Sequence, residues 1–179
     1  NIDQLLKIIK KKNIGTIFME VSRSYSPKNN FLDKVRDLAN KNKIVLIFDE
    51  CSSGFRETFG GLHLKYRVNP DICMFGKALG NGYAITSIIG VEKIMNYASK
   101  SFISSTFWSE RIGYVAGLSC LETMEQNKSW EYVTKFGKKI KKSWSNLANK
   151  YDLLIEIYGL DALPSFLINS PNFSKYKTY

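Results

Sequence analysis

Residues 43–50 of the chain read KIVLIFDE, which is one lysine, five apolar residues and then two carboxylates. A short run that is apolar at every position is typical of a strand buried on both faces of a parallel sheet. We therefore predict a strand at 44–48 that is covered on both faces and is followed at its C-terminal end by Asp49 and Glu50.

Similar apolar runs occur on either side of this strand. Residues 14–19 precede it and are followed by Glu20, and residues 71–75 come after it, shortly before Lys77. Residues 85–90 follow the third run too closely for a long crossover, so we expect this fourth strand to be antiparallel.

Segments with apolar residues at helical spacing alternate with these strands. The predicted helices span 2–11, 31–39, 110–125 and 128–150, and Asn30 and Ser109 are the expected N-caps of the second and third. The apolar stripe of the last helix is formed by Val133, Phe136, Ile140, Trp144 and Leu147. This alternation predicts an α/β fold with a mostly parallel sheet, one antiparallel strand and helices on both faces.

The C-terminal part of the chain has a different pattern. Two short strand candidates, 153–158 and 165–168, flank a turn region after the long helix. We expect residues 1–127 to belong to one large domain, and residues 128–179 to form a linker helix and the beginning of a small α+β domain.

Charged side chains follow the predicted strands, where open α/β sheets bind their ligands. We expect Glu20, Asp49, Glu50 and Lys77 to point into the crevice at the strand ends rather than into the core. An ionised carboxylate such as Asp49 next to a buried sheet needs a cationic or hydrogen-bonding partner, and a protonated ring nitrogen is one such partner. The alternative is that Asp49 caps the following turn.

Lys77 lies in the segment GKALGNG, residues 76–82. The glycines follow the lysine, so the order GxxxxGK[ST] of a phosphate-binding P-loop is absent. From these residues alone, Lys77 is a phosphate ligand, a lysine that forms a Schiff base, or a surface lysine on a turn. The second role requires an amine whose pKa is lowered by burial or by neighbouring positive charge.

Four segments in a fixed order suggest an assignment. They are FDECSSGFR at 48–56, NPD at 69–71, GKALGNGY at 76–83 and SSTF at 104–107. Together they resemble the class III aminotransferases of pyridoxal phosphate (PLP) fold type I. The branch that contains glutamate-1-semialdehyde 2,1-aminomutase is the most similar, and the resemblance covers roughly residues 14–125.

The resemblance implies that PLP is the cofactor and assigns roles to three residues. Lys77 would form the Schiff base with PLP and carry protons during amine transfer, and Asp49 would pair with the pyridine nitrogen. Cys51 would pack against one face of the ring. The family usually has valine or isoleucine at this position, and a cysteine still suits an apolar contact.

Further positions of the resemblance concern the edge of the site. Thr106 would reach the cofactor phosphate of the neighbouring subunit, which implies a homodimer, and Ser105 is a further candidate beside it. Glu20 is also a candidate, although Val21 follows it where the family commonly has proline.

The resemblance implies an enzyme that moves an amino group between a small-molecule amino donor and a carbonyl acceptor. An aminomutase, which returns the amine to the same substrate, is an alternative, and a non-catalytic domain derived from this fold is another. The family's glycine-rich phosphate cradle and its ring-stacking aromatic residue precede the matched region. We therefore expect an internal fragment that holds part of the site and binds PLP weakly by itself.

Composition narrows the partners. The net charge of +10 is concentrated at 128–150, which holds seven lysines and one glutamate, and we interpret this as a solvated helix face rather than a nucleic-acid surface. The single histidine, His63, is expected to be structural or on the surface, and no metal site is expected. Scattered cysteines and the absence of a long apolar run predict a cytoplasmic protein with no membrane partner. The cysteines are Cys51, Cys73 and Cys120.

Overall fold

The computed structural model of the chain describes residues 1–169. Within them the elements are, in order, α1 (Ile2–Lys11), β1 (Thr16–Glu20), α2 (Phe31–Lys41), β2 (Val45–Asp49), α3 (His63–Tyr66), β3 (Ile72–Phe75), β4 (Ser87–Gly90), α4 (Glu92–Met95), α5 (Arg111–Asn127), α6 (Ser129–Lys150), β5 (Ile155–Tyr158) and β6 (Ser165–Ile168). Short 3₁₀ turns lie at Lys77–Leu79 and Ala98–Lys100.

The first four strands form one sheet in the order β1-β2-β3-β4. β2 is parallel to both β1 and β3, and β4 is antiparallel to β3. The mostly parallel α/β sheet and the antiparallel fourth strand predicted from the sequence are confirmed. Each strand begins within two residues of its predicted start.

One face of β2 is buried completely, and the other is only partly covered. Leu46 and Phe48 are 0% exposed, whereas Val45 and Ile47 on the opposite face are half-buried. The core forms where Leu32 of α2 and its apolar neighbours pack on the Leu46 face. The prediction that both faces are buried is therefore wrong for the described residues.

Two predicted helix caps differ from the observed helix starts. Asn30 is the N-cap of α2, but its backbone is left-handed (φ 53°) and its side chain makes no capping hydrogen bond. Ser109 does not cap α5, because it lies inside a turn in which the N–H of Glu110 donates to the carbonyl of Phe107 at 3.0 Å. The N-cap is Glu110 itself, and α5 begins at Arg111.

The contact face of α6 is displaced from the predicted apolar stripe. Val133, Phe136 and Leu147 of that stripe are exposed, while Gly137 and Ala148 are buried. The helix predicted at this position is thus confirmed. Its contact face is displaced from the predicted stripe but still includes Trp144, whose ring lies 4.9 Å from that of Phe166.

Close packing at Gly137 explains this displacement. A Cβ atom added to Gly137 would lie 1.7 Å from the carbonyl oxygen of Asp161, so the helix approaches the turn after β5 along its backbone. Lys141, one turn further on, donates to the carbonyl of Gly159 at 2.8 Å and to Oδ1 of Asp161 at 3.0 Å. This lysine therefore belongs to the contact face and not to the solvated one.

The two-stranded sheet of β5 and β6 is antiparallel and is also joined to the loop after β1. The N–H of Gly159 donates to the carbonyl of Ser24 at 2.8 Å, and the hydroxyl of Tyr25 donates to Glu156 at 2.6 Å. The division of the chain after residue 127 stays a prediction, and residues 170–179 of its second part lie outside the described residues. In the part of the chain that is described, every helix is too short or too polar to cross a membrane.

We expect the substitution Gly137→Ala to lower the free energy of unfolding by about 1–3 kcal/mol, because the added methyl group overlaps backbone atoms. The sign is informative, since alanine in a helix interior is ordinarily more stable than glycine by roughly 0.5–1 kcal/mol. Urea unfolding measures the difference. Gly15→Ala is the matched control: nothing lies within 4 Å of its added Cβ, and its effect should stay within about 0.5 kcal/mol. A Gly137→Ala variant as stable as the parent would contradict this account of the helix contact.

Candidate active site

The candidate site lies at the C-terminal edge of the sheet. Glu20 is paired with Asp49 in the register of β1 and β2, and Asp49 is paired with Met74 in the register of β2 and β3. Lys77 follows Met74 by three residues. The parallel strands therefore bring three of the predicted site residues to one edge.

Lys77 lies on a turn with an unusual backbone conformation. Lys77 has a left-handed backbone (φ 41°), which is uncommon for a residue other than glycine and is found more often at functional sites. Ala78 and Leu79 beside it are buried, and the thiol of Cys120 donates to the carbonyl of Ala78 at 3.3 Å. The turn is thus anchored in the core, while the Lys77 side chain is exposed and its Nζ donates to Oγ of Ser52.

Asp49 and Cys51 lie next to this turn. The Oδ1 atom of Asp49 accepts a hydrogen bond from the N–H of Cys51 at 2.9 Å. A Cβ atom on Gly76 would lie 3.2 Å from the sulfur of Cys51, so glycine allows the thiol to approach the backbone just before Lys77. The structure therefore brings Asp49, Cys51 and Lys77 together as the sequence predicted.

The electrostatics of Cys51 reflect both neighbouring charges. Burial raises the pKa of the Cys51 thiol, and the carboxylate of Asp49 raises this pKa further. The ammonium group of Lys77 acts in the opposite direction on the same pKa. The thiol thus lies within the field of an anion and a cation, and the net effect favours the uncharged SH form.

Glu50 does not point into the crevice, which corrects the sequence interpretation. Successive residues of a strand face opposite sides, so Glu50 continues the buried face of Leu46 and Phe48. It is 0% exposed. Its carboxylate accepts hydrogen bonds from the hydroxyl of Ser53 and from both the backbone N–H and Nδ1 of His63.

Period-two alternation along 46–50 is the sequence signal that predicts this orientation of Glu50. His63 is buried within the same network. The sequence left open whether this histidine has a structural role or lies on the surface. Its contacts with Glu50 make the role structural.

The remaining predicted site residues lie apart from this cluster. Thr106 and Ser105 are in an exposed loop before α5, where Oγ of Ser105 accepts from the N–H of Phe107 at 3.4 Å. In residues 1–169, neither hydrogen-bonds to Asp49 or Lys77. Glu20 lies at the sheet edge with its Oε1 atom 3.3 Å from NH1 of Arg23. The roles predicted for Thr106, Ser105 and Glu20 stay predictions.

The described residues contain no group of three or more His, Cys, Asp or Glu side chains that could hold a metal ion. The three cysteines, Cys51, Cys73 and Cys120, are free thiols. The chemistry available at the sheet edge is therefore that of an amine, a carboxylate and a thiol.

A family model described as "Aminotransferase class-III" matches residues 4–175 of the chain. The chain belongs to the class III aminotransferase family. The match includes the strand ends that carry Asp49 and Lys77, so the resemblance noted in the sequence is confirmed.

Curated relatives of this aminotransferase chain include two kinds of enzyme. It is 35% identical over 152 residues to the 3-aminobutyryl-CoA aminotransferase of Cloacimonas acidaminovorans. This alignment covers 84% of the chain and 37% of the relative. It is also 35% identical over 140 residues to the glutamate-1-semialdehyde 2,1-aminomutase of Nitrosopumilus maritimus, covering 74% of the chain and 33% of the relative. The chain thus spans about a third of the length of these relatives.

Solved structures show the same fold. The PLP internal aldimine form of the Sphingopyxis sp. MTA144 FumI protein superposes with a TM-score of 0.87 at 18% identity, covering 96% of this chain and 43% of that one. Acetylornithine aminotransferase from Elizabethkingia anophelis superposes with a TM-score of 0.84 at 26% identity, covering 95% of this chain and 46% of that one. The class III aminotransferase chain therefore has the PLP fold type I architecture expected from its sequence.

The two charges beside Cys51 predict opposite effects of two neutral substitutions. Asp49→Asn removes an anion, so it should lower the pKa of the Cys51 thiol, and Lys77→Met removes a cation, so it should raise this pKa. The measurement is the pH dependence of alkylation by iodoacetamide, quantified for each cysteine by peptide mass spectrometry. Cys120 is the internal control, because burial alone raises the pKa of its thiol. Unchanged Cys51 profiles in both variants would show that the three side chains do not share one crevice.

Proposed function

We propose that this chain is part of a PLP-dependent aminotransferase in which Lys77 links covalently to the cofactor. The enzyme would move an amino group from a small-molecule amino donor to a carbonyl acceptor. The observation that carries the proposal is the cluster of Lys77, Asp49 and Cys51 at one sheet edge of a class III aminotransferase chain. A cytoplasmic location, as expected from the sequence, is part of the same proposal.

The residues of the cluster fit PLP by their chemistry. Lys77 presents a primary amine, which can condense with an aldehyde. Its side chain is exposed, so the burial expected of a Schiff-base lysine is not provided by the described residues. A half-buried carboxylate with one oxygen held by a backbone N–H, as in Asp49, can keep a ring nitrogen protonated. When bound, PLP supplies the aldehyde that accepts the amino group and the protonated ring that withdraws electrons from the reacting carbon.

The chain's own residues then perform positioning and proton transfer. The hydroxyl of Ser52 accepts from Nζ of Lys77 and so restrains a flexible side chain next to the reacting atoms. The Lys77 amine, once released, would hold the proton that moves between carbon atoms of the substrate. The thiol of Cys51, kept uncharged by burial, would provide an apolar surface beside Asp49.

An aminomutase is the second candidate function, because some of the chain's relatives are aminomutases. Besides the relative from Nitrosopumilus maritimus, the glutamate-1-semialdehyde 2,1-aminomutase of Hyperthermus butylicus is 32% identical over 76% of the chain. The two reactions differ in their products. An aminotransferase releases one keto acid for each donor consumed, whereas an aminomutase isomerises a single substrate without a net second product. Keto-acid release from amino donors by the full-length, PLP-loaded protein would support the first function over the second.

We expect Lys77→Ala to abolish the visible absorbance of covalently bound PLP in the full-length protein, because the substitution removes the amine that would form the link. Asp49→Asn should retain the linkage and weaken PLP binding about tenfold or more, since hydrogen bonds to charged groups contribute roughly 1.5–3 kcal/mol. Absorbance spectra and PLP titrations measure both effects. Lys34→Ala, at an exposed position of α2, is the control and should bind PLP normally. A parent protein without lysine-dependent absorbance would favour the non-catalytic alternative.

A homodimer is the assembly that we propose for the full-length enzyme. Its support is an aromatic and aliphatic surface formed by residues on both sides of Thr106 and by exposed side chains of α5. This surface, here called the aromatic surface, consists of Phe102, Phe107, Trp108, Ile112, Tyr114, Val115 and Leu118. So many exposed apolar side chains within residues 102–118 support an interaction site in this region. Thr106 lies within the same stretch of the chain, so its hydroxyl would contact a partner subunit that binds to this surface.

We expect Trp108→Glu to weaken dimerisation by about thirtyfold or more, because a tryptophan at an interface centre often contributes 2 kcal/mol or more. Sedimentation equilibrium of the full-length protein measures this change. Ile8→Glu provides a matched control, since Ile8 is also an exposed apolar residue (49%) but lies on α1. Equal effects of the two substitutions would exclude the aromatic surface as the dimer interface.

A further inference from the structure

The buried carboxylate of Glu50 lies one residue from the crevice and is not part of the proposed chemistry. Its Oε1 atom accepts from the backbone N–H of His63 at 2.9 Å and from Nδ1 of His63 at 3.0 Å. Its Oε2 atom accepts from the hydroxyl of Ser53. The backbone of Glu50 is held as well, because its N–H donates to the carbonyl of Met74 and its carbonyl accepts from the N–H of Gly54, both at 2.8 Å.

The turn that follows Glu50 divides its contacts between the core and the crevice. Cys51 donates its N–H to Asp49, Ser52 accepts from Nζ of Lys77, and Ser53 donates its hydroxyl to Glu50. The three consecutive residues thus connect the buried carboxylate to both groups that would engage the cofactor.

We propose that Glu50 is a positioning residue of the cofactor site: by holding Ser53, it orients the turn Cys51–Ser53 that sets Asp49 and Lys77. The proposal rests on the proposed function and deepens it. Glu50 itself touches neither the reacting atoms nor the crevice, since it is fully buried on the opposite face of the sheet.

Tight packing leaves this turn little freedom to adopt a second arrangement. A Cβ atom on Gly61 would lie 2.3 Å from Nδ1 of His63 and 2.9 Å from Oε1 of Glu50. One on Gly54 would lie 2.7 Å from both the carbonyl oxygen of Glu50 and the ring of Phe75. Both ends of the Glu50 network are therefore enclosed by close contacts, and displacement of its carboxylate has to move the turn.

The side chains that face the carboxyl group of Glu50 are hydrogen-bond donors or remain uncharged. His63 and Cys73 are the titratable groups that face it, and Sγ of Cys73 lies 3.5 Å from Nδ1 of His63. Burial and then the charge of Glu50 raise the pKa of Cys73 to about 12, so this thiol remains protonated. Three donors on two oxygens satisfy a buried carboxylate, whereas glutamine would present an NH₂ group to one of them.

The experiment follows the visible absorbance of lysine-bound PLP against pH in the full-length protein. Glu50→Gln and Ser53→Ala should each lower the pH midpoint of this absorbance by about one unit, which corresponds to a tenfold change in proton affinity. The reason is that the hydroxyl of Ser52, which accepts from the protonated nitrogen of Lys77, is no longer held in place when the turn moves. The double variant should shift the midpoint no further than Glu50→Gln alone, because both changes act through one turn.

Asp71→Asn is the matched control for general destabilisation. Asp71 is a part-buried carboxylate that accepts from NH1 of Arg36 at 3.0 Å and from the N–H of Leu46 at 2.7 Å. It lies at the opposite end of the same sheet, so its loss should reduce stability and leave the absorbance midpoint unchanged. Ser53→Ala keeps the experiment decisive if Glu50→Gln does not fold.

The outcomes separate this inference from the proposed function. A parent protein with lysine-dependent absorbance, together with unshifted midpoints in both Glu50→Gln and Ser53→Ala, overturns the positioning role and retains the enzyme. A midpoint shift in Asp71→Asn as large as that in Ser53→Ala also overturns it, because the effect would then be one of stability. A parent protein that forms no link to PLP at Lys77 overturns both proposals.

Discussion

The parallel pairing of β2 with β1 and β3 is the constraint on which the rest of the structure depends. Parallel strands end at the same edge of a sheet, so Glu20, Asp49 and the turn that carries Lys77 are neighbours although the sequence separates them. The pleat of β2 then directs Asp49 and Glu50 to opposite faces. One carboxylate therefore faces the crevice, while the next one is enclosed in the core.

Patterns that depend on neighbouring residues were predictable from the sequence. Short apolar runs located the strands, and the short connection between β3 and β4 required antiparallel pairing. The cluster of Asp49, Cys51 and Lys77 was predictable because its residues lie in motifs of fixed order. The inward orientation of Glu50 follows from the alternation along 46–50, but it was missed because Glu50 was interpreted together with Asp49 as a strand-end charge. Its partner His63 comes 13 residues later, and no local pattern predicts that contact.

The contact face of α6 was predicted only in part, because hydrophobicity does not determine all of it. Apolar spacing correctly indicated a helix, but the contact is made where Gly137 allows the closest backbone approach. At the same contact, Lys141 pairs its amine with Asp161. The face thus depends on Gly137 and Lys141. Neither residue contributes to an apolar stripe, because glycine has no side chain and the lysine was interpreted as a solvated charge.

In the described residues, the amine of Lys77 is restrained by a hydrogen bond to the hydroxyl of Ser52. A free lysine side chain carries roughly 2 kcal/mol of rotamer entropy, and a covalent link to a cofactor has to remove most of it. The left-handed backbone at Lys77 and the hydroxyl of Ser52 remove part of it beforehand. Ser52 and Lys77 follow two different strands, so their contact persists only while β2 and β3 stay paired. A change that loosens this pairing at its Asp49–Met74 end should therefore alter the chemistry at Lys77, whereas a change at the Asp71 end should not.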